Sequence, residues 1–317
     1  PDVEDDIGIV LKLANEHKVP VTVRGRGTGN TGASSPIHGG WVIHLDHWDK
    51  IEIDPVSSMA TVQPGAITAH INDLAAPHGL FFPPDPSSVK HCSIGGNIAT
   101  NAGGLRAAKY GVVRDHVYAL EGFLPTGEKV RWAAPLRKFV SGLNLRDLWI
   151  GSEGTLGVIT KATLKLSVLP AARRTFLLAF RTDEAALDAA IDLLSLRVNP
   201  SVLEFLDVQT VAAAEKRRGQ RVFAQPCGRG VLAALHLEAA HVRGDVVQQA
   251  RLAARQPDGR RGVAARRDAV GRAVEVVAAH GLVDHRVLLA CRTIARRSRG
   301  ICIARWRGDR RQPHSDR

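Results

Sequence analysis

Apolar positions Val3, Ile7, Val10, Leu11 and Ala14 recur at helical spacing, and Glu4, Asp5 and Asp6 fall in the first turn, where negative charge offsets the helix dipole. The spacing predicts an N-terminal helix followed by a strand over 19–23. Further strands are predicted over 41–45, 51–54 and 60–65, the second alternating cleanly and the third ending at Pro64 and Gly65. Ile67, Ile71, Leu74 and Ala75 share one face of a helix over 66–78 that Gly79 stops. A short helix over 94–101 opens on glycine. Strands over 117–123 and 128–132 flank the turn Pro125, Thr126, Gly127, and a short amphipathic turn over 145–149 leads to a strand over 158–166. In that last strand Ala162, Leu164 and Leu166 face one way and Lys161, Thr163 and Lys165 the other, as a half-solvated strand requires. Trp41, Trp48, Trp132 and Trp149 lie in or beside these strands and read as core. Beyond Pro170, a strand (175–180), a helix (183–196), a strand (202–206) and a helix (208–216) open a second α+β unit.

Three glycine clusters punctuate the first part of this pattern. Arg24 to Gly32 reads RGRGTGNTG directly after a predicted strand, so backbone N–H groups there can approach a ligand closely and form a nest suited to a pyrophosphate. The loop runs into Ser34 to Gly40 and another strand, which does not fit the dinucleotide fingerprint of a strand, a glycine turn and a long helix. The second cluster, Ser93 to Gly104 (SIGGNIATNAGG), follows the proline-stiffened Pro83 to Ser88, and the third, Ile150 to Thr160, reads IGSEGTLGVIT. Any one of these alone is more often a surface turn than a site.

In this order and at these separations the three clusters resemble the FAD-binding domain of the vanillyl-alcohol-oxidase-type (PCMH-type) flavoproteins. Within that superfamily they are most similar to the branch of D-lactate dehydrogenases, glycolate oxidase flavin subunits and D-2-hydroxyglutarate dehydrogenases. The resemblance covers roughly residues 1–216. It implies an α+β fold: an FAD-binding domain of two α/β subdomains over 1–169, the start of an α+β cap domain over 170–216, and an irregular tail over 217–317. It also implies oxidation of a D-2-hydroxy acid to the 2-oxo acid, with hydride passing to flavin N5 and a separate electron acceptor.

The same resemblance assigns site residues. Gly25, Gly27, Thr28, Gly29, Asn30 and Gly32 would hold the FAD pyrophosphate. Pro84, Asp85 and Ser88 would line the flavin edge, with a structural crossover as the competing reading, above all for Asp85. Ser93, Gly95, Gly96, Asn97, Thr100, Asn101, Gly103 and Gly104 would let backbone approach the ring and phosphates, and Gly154, Gly157 and Ile159 would complete the site. Glu153 reads as a cap or brace. Some relatives attach flavin through a histidine near the first loop; residues 24–35 contain none, so non-covalent FAD is expected. The family's basic and metal-binding histidines lie in a late Gly-His-x-Gly-Asp-Gly-Asn motif. Residues 240–245 (AHVRGD) are the nearest text and do not match it, so catalytic residues and ligands for a divalent metal are not assigned, and His241 receives no role. His91 beside Cys92 reads as ordinary packing, because neighbours in sequence do not readily face each other.

Charge changes the picture of the tail only. The formal charge of +12 and a pI near 10.1 suggest nucleic acid at first sight. Residues 1–216 hold 10 Lys and 11 Arg against 23 acids, a net of −2; residues 217–317 hold 22 Arg, no Lys and 8 acids, a net of +14. A stretch with arginine doublets, no lysine and apolar positions that are mainly Ala and Val suits a shifted reading frame in GC-rich DNA; a genuine basic tail for nucleic acid or an acidic membrane is the rival. Disorder or loose helix is expected there. No nucleic acid partner is expected for the rest. Four cysteines (Cys92, Cys227, Cys291, Cys302) without C-x-x-C spacing indicate a reducing compartment. The start on Pro1 and acidic residues is read as an N-terminal truncation, and no apolar run reaches the length of a membrane span, so a cytoplasmic protein, at most peripheral to a membrane, is expected.

Overall fold

The computed structural model describes residues 1, 3–180, 182–195, 199–219, 231–239 and 302–305. The chain divides into two units, Pro1–Leu169 and Pro170–Arg317.

In the first unit, helix α1 (Glu4–His17) buries Ile7, Leu11 and Ala14, the inward positions of its 3.6-residue period. Its first turn is closed by Asp6, whose carboxylate accepts the Val3 N–H at 3.2 Å. Strands β1 (Val21–Arg24) and β2 (Trp41–His44) pair in parallel, with Arg24 opposite His44. Ile7, Leu11, Ile43, Leu45, Trp48, Phe123 and Val158 form one buried cluster around them. Trp41 corrects the expectation of a core residue. It is 40% exposed, because β2 belongs to a sheet of two strands only.

Strands β3 (Ile51–Asp54) and β4 (Met59–Val62) form an antiparallel hairpin. Helix α2 (Thr68–Ala75) follows, then a 3₁₀ turn (Ala76–His78) and Gly79 at φ +69°, the left-handed stop expected of it. Ile71 and Ala75 are fully buried, but Leu74 is 48% exposed and lies off the apolar stripe. After β5 (Leu80–Phe81) come the short helices α3 (Ile94–Ala99) and α4 (Ala107–Tyr110), then strands β6 (Val117–Phe123) and β7 (Lys129–Trp132). Helix α5 (Leu145–Trp149), strand β8 (Val158–Lys165) and β9 (Ser167–Val168) complete the unit. The main sheet has the order β3-β4-β8-β6-β7 and is antiparallel throughout. Ala162 and Leu164 of β8 face the core while Lys165 is exposed. That core also gathers Ile71 and Ala75 of α2 and Ile94 and Ile98 of α3, so both helices lie against the sheet. Trp149 is buried and meets Trp132 edge-on at 6.1 Å.

In the second unit, β10 (Ala172–Phe180), α6 (Asp183–Ser195), β11 (Val202–Leu206) and α7 (Val208–Arg218) follow the order expected from the sequence. Asp207 caps α7 by accepting the Thr210 N–H at 2.6 Å, and Gly219 at φ +64° ends it. Two strands fall where an irregular tail was expected. β12 (Val231–Ala239) pairs antiparallel with β10 and β11, and β13 (Cys302–Arg305) pairs antiparallel with β10, giving the order β11-β12-β10-β13. The run Leu235, His236, Leu237, Glu238 alternates apolar and polar as a strand does, a signal masked by the arginine-rich text around it. The rest of the stretch, including His241, Cys227 and Cys291, lies outside the described residues. Among the described residues, no helix is long and apolar enough to cross a membrane.

Candidate cofactor site

The three glycine clusters converge on one cavity of the first unit, with a volume of about 510 Å³. Specific bonds bring them together. Ser93, buried at the start of α3, accepts the N–H of Arg26 on its Oγ at 3.4 Å, tying the first loop to the second. Gly151 and Glu153 donate their N–H groups to Ile98 and Ala99 at 3.1 and 2.8 Å, tying the third loop to the end of α3. Glu153 does this at φ +54°, so it braces through its main chain, as the sequence reading held. Helix α3 is itself seated by Gly95, whose N–H reaches the Pro64 carbonyl at 2.9 Å; an added Cβ there would stand 2.5 Å from Pro64.

The first loop supplies donors. Among the described residues, the N–H groups of Gly27, Thr28, Gly29, Asn30 and Thr31 donate to no protein acceptor, and all five residues line the cavity. Gly27 takes φ +65°, and the space where a Cβ of Gly29 would stand is open for 4 Å. At Gly96 such a Cβ would meet the hydroxyl oxygen of Ser93 at 3.4 Å. Bare backbone with unpaired N–H groups along an open cavity is a cradle for an anionic ligand. The volume lies within the usual range for small-molecule sites, roughly 300–1,000 Å³.

Of the residues assigned from sequence, Gly25, Gly27, Thr28, Gly29 and Asn30, then Ser88, Ser93, Gly95, Gly96, Asn97 and Thr100, then Gly154, Gly157 and Ile159 line the cavity. Six do not, and each has a structural task or a place beside the wall. Asp85 accepts the Arg106 N–H at 3.0 Å and pairs with the Arg106 Nε at 3.2 Å. Gly104 passes so close to Asp85 that a Cβ would stand 2.4 Å from its carbonyl. Pro84 and Gly103 belong to the same two crossing segments. Asn101, at φ +49°, accepts the Arg114 N–H at 2.9 Å, and Gly32 stands between the lining residues Thr31 and Ala33 without lining the cavity itself. Asn97 lines the cavity while its amide turns inward, donating to Thr68 Oγ1 at 2.6 Å and to the buried Cys92 sulfur at 3.3 Å. This satisfies Cys92 as packing, whereas His91 beside it is exposed and does not take the packing role read from sequence.

The sequence reading missed Arg26, Thr31, Pro64, Ser87, Ser152 and Glu153 as lining residues. Among the described residues of the lining, only Arg26 and Glu153 are charged. The signal for Arg26 was present, an arginine inside a glycine nest; Pro64 is brought in by the fold and has no local signature. Among the described residues, no group of three or more His, Cys, Asp or Glu is placed to hold a metal ion.

A glycine-lined anion cradle at one edge of a mixed α/β unit defines the class: a domain that binds a phosphate-bearing cofactor. Residues 1–133 match the FAD binding domain family. Its cofactor is FAD, and the residues present fit that group, since the cradle offers unpaired N–H donors for a pyrophosphate. The chain is 43% identical over 216 residues to glycolate oxidase subunit GlcD of Bacillus subtilis, covering 68% of this chain and 46% of that protein. It is 39% identical over 220 residues to a D-lactate dehydrogenase of Anaerostipes hadrus (69% and 46%) and 38% identical over 223 residues to one of Archaeoglobus fulgidus (70% and 49%). The chain thus spans about half the length of the curated relatives it matches. Among solved structures, alkyldihydroxyacetonephosphate synthase shares the fold, with a TM-score of 0.63 at 23% identity over 75% of this chain and 49% of that one.

Proposed function

We propose that this chain carries the flavin-binding part of an FAD-dependent dehydrogenase that oxidises a D-2-hydroxy acid, of the D-lactate, glycolate or D-2-hydroxyglutarate type, to the 2-oxo acid. The observation that carries the reading is the convergence of three separate glycine loops on one cavity with unpaired N–H donors, in a chain similar to glycolate oxidase and D-lactate dehydrogenase. The N–H groups of Gly27 to Thr31 hold the pyrophosphate non-covalently. Gly95 and Gly96 let backbone lie against the ligand, and Gly154, Gly157 and Ile159 complete the lining. When bound, FAD supplies the acceptor for the hydride that leaves the substrate α-carbon, and a separate acceptor takes the electrons onward. No described residue of the cavity is a histidine, and Glu153, bracing through its main chain, is its one carboxylate. A base for the substrate hydroxyl therefore comes from cap residues beyond those described, and the chain as given binds flavin without turning over substrate. Residues 170–216 open that cap, and the arginine-rich stretch after them is proposed to arise from a shifted frame.

The test is anaerobic flavin bleaching. The purified chain should hold FAD and show no bleaching with D-lactate, glycolate or D-2-hydroxyglutarate. A version translated in whichever forward frame restores a lysine-containing cap with Gly-His-x-Gly-Asp-Gly-Asn should bleach with one of them. Failure of all three acids with a restored cap would point to another oxidase of the same fold.

A further inference from the structure

We propose that Arg26 is a phosphate-reading side chain of the cofactor cavity, held in position by Asp46; this rests on the FAD reading above. The register of the parallel pair creates the arrangement. Arg24 stands opposite His44, and the Leu45 N–H reaches the Arg24 carbonyl at 3.0 Å, so two residues further on Arg26 comes against Asp46. The Arg26 Nε lies 3.5 Å from Asp46 Oδ2, and His44 Nε2 faces the same oxygen at 3.3 Å. The turn carrying Asp46 is fixed. Trp48 donates its N–H to Leu45 at 3.1 Å, and Gly65 lies so close that a Cβ there would stand 2.2 Å from the Leu45 carbonyl and 2.7 Å from that of Asp46.

Arg26 is therefore held at both ends, its main chain by the Ser93 hydroxyl and its Nε by Asp46. The two Nη groups make no hydrogen bond among the described residues, and the side chain lines the cavity beside the unpaired N–H groups of Gly27 to Thr31. A guanidinium engaged through Nε presents its outer pair of N–H groups as a planar fork, which matches two oxygens of one phosphate. A plain surface ion pair accounts poorly for the site. The Asp46 Oδ1 is buried without a hydrogen bond, a cost that orienting an arginine for a ligand would explain. Arg24, two residues earlier, shows the contrast: its Nη1 donates to the Ser34 carbonyl at 3.3 Å and it braces the loop from outside the cavity lining.

The experiment compares the full chain with Arg26→Gln, Arg26→Lys and Asp46→Asn in titrations with FAD and with riboflavin, which lacks phosphate, at low and high salt. Loss of a charged hydrogen-bond donor should weaken FAD binding roughly ten- to hundredfold in Arg26→Gln and flatten its salt dependence, with riboflavin unaffected. Arg26→Lys, which keeps charge without the fork, and Asp46→Asn, which keeps shape without the tether, should lose part of that affinity; these two decide the matter if Arg26→Gln does not fold. Unchanged FAD affinity, or equal losses for FAD and riboflavin, would overturn the assignment while leaving FAD as the cofactor. A wild-type chain that binds no FAD would instead overturn the cofactor reading itself.

Discussion

A Cβ added to Gly25 would stand 2.3 Å from the hydroxyl oxygen of Ser93, so the first and second glycine loops meet with no room for a methyl group. Overpacking of this kind costs about 1–3 kcal/mol. Gly25→Ala is therefore expected to part the loops and lower FAD affinity by roughly tenfold or more. Removing the hydroxyl should relieve the clash, since the Ser93 Cβ lies at an ordinary 3.5 Å. The double variant Gly25→Ala with Ser93→Ala should thus bind FAD more tightly than Gly25→Ala alone. Equilibrium dialysis of the four proteins reads the coupling, and additive losses would show that the two loops do not meet in solution.

Gly157 carries a different load. It sits at φ +145°, where a side chain is strained, and a Cβ would fall 2.2 Å from the Phe123 carbonyl and 2.8 Å from the Trp149 ring. Both obstacles are rigid. Gly157→Ala is expected to destabilise the first unit by about 2 kcal/mol or more, seen as a lower urea midpoint. A midpoint equal to wild type would mean that β8 can shift away from β6 at this edge.

These two glycines also show how far the sequence could be read. Both belonged to clusters visible as text, because bare backbone near a ligand or a crossing strand needs glycine whatever the rest of the fold does. The antiparallel pairing of β8 with β4 and β6 was not visible, since the 100 or so residues separating β4 from β8 leave no local trace. For the same reason Pro64 was missed, and so was what holds Arg26, although an arginine inside the glycine loop was itself visible as text. Pro64 reaches the cavity only because Gly95 rests on it, and Arg26 matters only through the register that sets it against Asp46. Asp85 failed the other way. Proline-stiffened polar text marks a fixed loop, and only the contact with Arg106 tells whether that loop serves a ligand or a crossing.

That contact makes a prediction of its own. Asp85 and Arg106 are largely shielded from solvent, with side chains 16% and 21% exposed, and a carboxylate accepting both a main-chain N–H and a guanidinium N–H there contributes about 1.5–3 kcal/mol. Asp85→Ala should lower the urea midpoint accordingly, yet leave FAD affinity within about twofold when titrated well below the melting temperature. A variant of normal stability with lost FAD affinity would return Asp85 to the flavin edge.

His116 gives the first unit a pH dependence. Its side chain is almost wholly buried, and burial pushes the imidazole below its ordinary range; the nearby Lys165 ammonium acts in the same direction, while the Tyr110 carbonyl, 2.8 Å from Nε2, and the Asp115 carboxylate oppose both. A histidine held neutral in the fold takes up its proton only in the unfolded chain as pH first falls below about 6.5, so the unfolded state binds more protons in that window. Stability is then full above about pH 7 and declines between that unfolded value and the lower folded one. Urea unfolding at pH 7.5 and pH 5.5 should show this decline, and His116→Gln, which keeps a donor for Tyr110 but does not titrate, should show a smaller one. Equal declines in the two proteins would assign the acid sensitivity to other groups and leave His116 as a packing residue alone.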